Sequence, residues 1–129
     1  ETSTLMKRRF EAEVRPENLT LAQWRVLGLL EREGTMRQVA IAEALNAAPM
    51  TVSDLADRLE QMGLILRRPA PQDSRAKEVA LTPAGETKVE VMKERAAEVF
   101  DEVFDGIPPE DLDTLQRTLT RILNNLGAC

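Results

Sequence analysis

Apolar residues recur every three to four positions through most of the chain and every second position in one stretch, and this alternation predicts the elements. Residues 3–15 read as a helix with Leu5, Met6, Phe10 and Val14 on one side, ended by Pro16 and Asn18. In "LTLAQWRVLGLLEREG" Thr20 can cap a second helix, Trp24, Leu27 and Leu30 fall at helical spacing, and Gly34 stops it. "RQVAIAEALN" is a short third helix with Ile41, Ala42 and Leu45 facing inward and Asn46 closing it. Pro49 suits the first turn of a fourth helix, whose apolar stripe is Val52, Leu55, Ala56, Leu59 and Met62, with Gly63 as its terminator. The other side of that helix is polar throughout: Thr51, Asp54, Arg58 and Gln61, flanked by Ser53 and Asp57.

"LILRR" and "KEVALT" are β-prone, and Val79 and Leu81 alternate with polar or small neighbours as in a half-buried strand. The segment "PAPQDSRA" between them carries Pro69 and Pro71, which keep it out of a helix, so a hairpin with an eight-residue tip is expected. Thr82 and Pro83 start a long helix with Val89, Met92, Ala96, Val99 and Val103 at 3-4-3-4 spacing. After "DGIPPED", a last helix repeats that spacing with Leu112, Leu115, Leu119, Ile122 and Leu126. These stripes are longer than a small three-helix core needs.

Charge changes the picture locally. The chain of 129 residues has a formal net charge of -5, and residues 83–129 hold five cations against ten anions. The two earlier parts, residues 1–34 and 35–82, each balance to zero. From Leu64 to Lys77 four cations (Arg67, Arg68, Arg75, Lys77) face one anion, Asp73. With a screening length of about 8–10 Å, a ligand meets that local excess rather than the acidic total.

Composition narrows the chemistry. The 43% hydrophobic and 30% charged content suits one globular domain over residues 1–129. No apolar run reaches the ~20 residues of a membrane span, no signal peptide is visible, and a cytoplasmic setting is expected. The chain starts at Glu1 rather than Met, so a few preceding residues are expected. His and Tyr are absent and Cys129 is the only cysteine, so no catalytic residue, metal site or cofactor is expected. The fold class that emerges is mainly α (α+β). Helix, short helix, helix and hairpin is the order of a winged helix-turn-helix core with a two-stranded β-wing, flanked by long helices. Such a core can lay its third helix in a major groove.

Five segments in order resemble the MarR (multiple-antibiotic-resistance regulator) family. They are Leu19 to Gln23, Thr51 to Ser53, Leu59 to Ile65, Asp73 to Ala76 and Leu81 to Gly85. The resemblance implies a DNA-binding transcriptional regulator, usually a repressor released by a small ligand, acting as a homodimer on a pseudo-palindromic operator. It assigns residues 19–82 to the DNA-binding lobe and residues 1–18 and 83–129 to a helical dimerisation lobe. It places Arg75 in the minor groove with Asp73 as the partner that pins it. Thr51, Ser53 and Arg58 become groove candidates, and Arg67, Arg68 and Lys77 belong to the basic wing. A strand alternates its side chains, so at most one of Arg67 and Arg68 is expected to face DNA, while the other can hold the acid-rich helix surface.

The resemblance also suggests a small aromatic or phenolic effector near Trp24 and Phe10, although both read as readily as core or interface residues. Cys129 does not match the redox cysteine of some relatives and is taken as incidental. Asp54 and Asp57 depart from the family's recognition helix. They keep open a second reading, a winged-helix dimer that serves as a protein-interaction module without DNA.

Overall fold

The computed structural model describes residues 1–127; Cys129 lies outside them. The chain divides into two compact units, Glu1–Val99 and one beginning at Phe100. In the first, α1 (Thr2–Val14) runs into a 3₁₀ turn (Arg15–Glu17), followed by α2 (Leu21–Glu33) and a two-residue strand β1 (Met36–Arg37). Helices α3 (Gln38–Leu45) and α4 (Pro49–Gln61), strands β2 (Ile65–Ala70) and β3 (Asp73–Leu81), and most of α5 (Pro83–Val103) complete the first unit; the second holds the last residues of α5 together with α6 (Pro109–Asn125).

Each helix boundary has a local cause. Thr20 Oγ1 accepts the Gln23 N–H at 3.1 Å while Gln23 Oε1 accepts the Thr20 N–H at 2.9 Å, a reciprocal cap that satisfies a buried glutamine. Asn46 closes α3 in the left-handed region at φ 51°. At the end of α4, Gly63 adopts φ 75°, its N–H reaches Glu60 O, and the Leu64 N–H reaches Leu59 O. This pair of bonds needs a left-handed residue at Gly63 and leaves Leu59 and Leu64 both buried.

The sheet is three-stranded and antiparallel, in the order β1-β3-β2. The sequence pattern predicts two strands; β1 escapes it because two residues carry no period, and their pairing to Val79 and Glu78 is a backbone matter. The core gathers Leu27 and Leu30 of α2, Ile41 of α3, Val52 and Leu59 of α4, Ile65 and Val79 of the sheet, and Val89 and Met92 of α5. Complete burial of such a side chain contributes about 1.5–3 kcal/mol each before entropy is counted. No helix among the described residues is long and apolar enough to cross a membrane.

The corner joining β3 to α5 is tightly tied. Thr82 N donates to Leu64 O at 3.1 Å, Thr82 Oγ1 donates to Gly63 O at 2.6 Å, and Gly85 N donates to Thr82 Oγ1 at 3.0 Å. A Cβ on Gly85 would lie 2.0 Å from Leu64 O. The Leu-Thr-x-x-Gly segment therefore caps a helix and lets its first turn touch the end of α4.

In the second unit Phe100 and Phe104 stack with ring centroids 5.5 Å apart. Helix α6 carries its predicted stripe uncovered: Leu115, Leu119, Ile122 and Leu126 are 47 to 76% exposed, and Leu112 is half-buried.

Candidate nucleic-acid interface

The apolar stripe of α4 faces the core through Val52, Ala56 and Leu59, which leaves a polar side outward. Thr51, Asp54, Asp57, Arg58 and Gln61 are exposed, and Ser53 is half-buried on the flank. Ala48 is the N-cap and makes no side-chain cap bond, so its methyl group does not occupy the first amides of the helix. Met50, which the sequence reading passed over, is 76% exposed on the first turn. Exposed Arg37, at the N-cap of α3, was passed over too. The signal for both is similar, a residue at the start of a helix that no apolar stripe uses.

The hairpin corrects one expectation. Its tip is a two-residue turn, Pro71 and Gln72, rather than eight residues. Strand β2 continues through Pro69 because it is a sheet edge, where a missing N–H costs no ladder bond. The register then shifts: Pro69 pairs with Lys77 and Ala70 with Asp73. Ser74, Arg75 and Ala76 thus bulge from β3 against no partner residue. A bulge re-aims side chains, and the residue at its middle is Arg75. Asp73 Oδ1 accepts the Arg75 N–H at 3.0 Å, so its recorded contact shapes the main chain of the bulge. Among the described residues no carboxylate pairs with the Arg75 guanidinium.

The two neighbouring arginines part company. Arg67 stands opposite buried Val79 and turns toward α4. Its Nη2 lies 2.5 Å from Asp57 Oδ1 and 3.0 Å from Glu60 Oε1, and its N–H donates to Glu60 Oε2 at 3.0 Å. Those bonds from Arg67 hold the Glu60 carboxyl below its ordinary range. Arg68 stands opposite Glu78, pairs with it at 3.3 Å, and keeps a side chain 58% exposed. Lys77 is exposed on β3. The hairpin is therefore strapped to α4 by Arg67, and Arg68, Arg75 and Lys77 are its outward cations.

A separate groove of about 510 Å³ is lined by Phe10, Trp24, Leu45 and Val89 together with Arg25, Arg32 and Lys93. The Phe10 and Trp24 rings lie 5.7 Å apart at 45°. Glu31 on its rim accepts from Lys93 Nζ at 2.8 Å. Apolar walls with cations at the edge suit an aromatic acid. Among the described residues no group of three or more acidic or sulfur ligands is placed to hold a metal.

Comparison with known proteins fits this geometry. The sequence model of the MarR family matches residues 19–77. The HTH-type transcriptional repressor IacR of Pseudomonas putida is 29% identical over 109 residues, 84% of this chain and 65% of that protein. The HTH-type transcriptional repressor MdtR of Bacillus subtilis is 38% identical over 74 residues, 57% of this chain and 48% of that protein. The chain thus spans less than two thirds of either relative. Among solved structures, that of Bordetella bronchiseptica BpsR, whose DNA binding is regulated by 6-hydroxynicotinic acid, superposes with TM-score 0.82 at 27% identity, covering 93% of this chain and 86% of that one. A mutant of E. coli MarR complexed with operator DNA shares the fold with TM-score 0.85 at 23% identity, covering 94% and 87%. The order of helices and wing, the segment matched over residues 19–77 and the shared fold together make the chain similar to the regulators of the MarR family.

Proposed function

We propose that the chain is a sequence-specific DNA-binding regulator, a ligand-responsive repressor that acts in the cytoplasm as a homodimer on a pseudo-palindromic operator. One observation carries the reading: the exposed polar side of α4 is strapped by Arg67 to a hairpin whose bulge presents Arg75. Helix α4 enters a major groove, where Thr51, Ser53 and Arg58 meet base edges or phosphates. Arg75 enters the neighbouring minor groove, and Arg68 and Lys77 meet the backbone. Arg67 serves as the strap and not as a DNA contact. The repressor names of IacR and MdtR support the regulatory role.

Two copies pair through their helical lobes, residues 1–18 and 83–129, with the uncovered stripe of α6 as the main apolar surface. Their recognition helices then address half-sites about 34–36 Å apart. The effector is a small aromatic acid held between Phe10 and Trp24, its carboxylate toward Arg25 or Arg32. BpsR, which responds to such an acid, supports that choice.

The test is fluorescence anisotropy on duplexes selected from genomic DNA. Affinity is expected to fall steeply between 50 and 200 mM salt, on the order of tenfold or more, as arginines and lysines displace counterions. An affinity that stays flat over that range refutes the reading. An aromatic acid that binds is expected to change the emission of Trp24, the only tryptophan, and to lower DNA affinity.

A further inference from the structure

We infer that Asp54 determines specificity by selecting cytosine on the major-groove edge of the half-site. The inference rests on the proposed placement of α4 in a major groove. The exposed side of α4 carries three carboxylates, Asp54, Asp57 and Glu60. Two are committed: Asp57 and Glu60 share the guanidinium of Arg67 in the C-terminal half of the helix, against β2. Asp54 lies nearer the N-terminus, one turn after exposed Met50 and one turn before exposed Arg58. Among the described residues no cation is within ion-pair distance of Asp54.

A lone carboxylate on a face offered to a polyanion is repelled by every phosphate it approaches, and only a hydrogen-bond donor on the DNA compensates. In the major groove the donors are the amino groups of cytosine N4 and adenine N6. Guanine offers O6 and N7 and thymine offers O4, all lone pairs that would face the carboxylate. Adenine sets its N7 acceptor beside N6, so the second carboxylate oxygen meets a lone pair there as well. Cytosine alone presents a donor with no acceptor on its own major-groove edge, where C5–H flanks N4 and the paired guanine O6 lies on the other side. Asp54 therefore lowers affinity for DNA in general and lowers it least where cytosine stands opposite. It is a discriminator that works by exclusion.

The experiment is selection of bound duplexes from random DNA with the wild type, Asp54→Ala and Asp54→Asn. Affinities are then measured on the selected site with each base pair in turn. The wild type is expected to prefer cytosine at one position per half-site by roughly five- to hundredfold. In Asp54→Ala that preference collapses at that position alone, while affinity for unrelated duplex rises. Asp54→Asn, whose amide both donates and accepts, shifts the preference toward adenine. Circular dichroism checks that both variants keep the fold, as an exposed helical site allows. If the wild type selects a site and both variants keep every preference, the role of Asp54 is overturned while DNA binding stands. If the wild type selects no site and binds no duplex, the functional reading falls with it.

Discussion

Replacing Gly85 with alanine tests the corner where α5 meets the end of α4. In a free helix the change is favourable, by about 1 kcal/mol. Here the added Cβ would sit 2.0 Å from Leu64 O, 3.0 Å from Leu64 C and 3.1 Å from Leu81 Cδ2. Relief requires the Leu64 carbonyl to move by roughly 1 Å or more, since carbon and oxygen do not pack closer than about 3 Å. That carbonyl accepts the Thr82 N–H, whose loss costs about 1 kcal/mol, and the crowding adds about 1–3 kcal/mol. Set against the helical gain, the expected outcome is a net destabilisation of about 1–3 kcal/mol. For a chain of this size that lowers Tm by roughly 4–15 °C. Gly28 in α2 is the internal control, because a Cβ there meets nothing within 4 Å. Gly28→Ala is expected to be neutral or stabilising by up to about 1 kcal/mol. Urea unfolding followed by circular dichroism, at one fixed protein concentration, measures both variants. A Gly85→Ala protein as stable as the wild type refutes the close-approach explanation.

Other outcomes follow from the same geometry. Arg75→Ala weakens DNA binding by about 1–3 kcal/mol without lowering stability, read by anisotropy and thermal melting; an unchanged affinity removes Arg75 from the interface. Leu119→Asp places a charge in the uncovered stripe of α6 and is expected to halve the sedimenting mass at concentrations where the wild type is a dimer. Glu17 accepts from Lys88 Nζ at 2.9 Å and from Arg95 Nη2 at 2.7 Å, and these bonds, Lys88's foremost, lower its pKa. A carboxyl lowered in the folded state stabilises it above the ordinary carboxylate range, near 4, and ceases to do so as pH falls through the lowered value. Glu17→Gln should therefore unfold at lower urea than the wild type at pH 7, with the gap closing as pH falls through the lowered carboxyl value. A gap that stays constant contradicts the assignment.

The helices were legible because each carries an apolar period and a punctuating residue: Thr20, Gly34, Asn46, Pro49 and Gly63 stand where the chain turns. The wing was legible in its charge and not in its shape. Pro69 reads as a breaker only if the edge status of β2 is unknown, and edge status belongs to the sheet rather than to the local segment. The division of labour between Arg67 and Arg68 follows from their cross-strand neighbours, Val79 and Glu78, which a local pattern does not supply. The carboxylates of α4 were visible one by one. That Asp57 and Glu60 share a guanidinium while Asp54 stands apart is a property of the packed corner.

The unequal arms of the hairpin decouple chain length from chain position. The pairs on either side of the bulge, Pro69 with Lys77 and Ala70 with Asp73, hold Arg75 in place, and the turn at Pro71 and Gln72 lies beyond them. Residues inserted into that turn lengthen the protrusion and leave the arginine where it was. Deleting one of the unpaired residues between Asp73 and Lys77 instead shortens the bulge between the two pairs and re-aims or removes the cation. Insertions are thus tolerated at 71–72 and single deletions are not at 74–76, a contrast that a scanning library would resolve residue by residue.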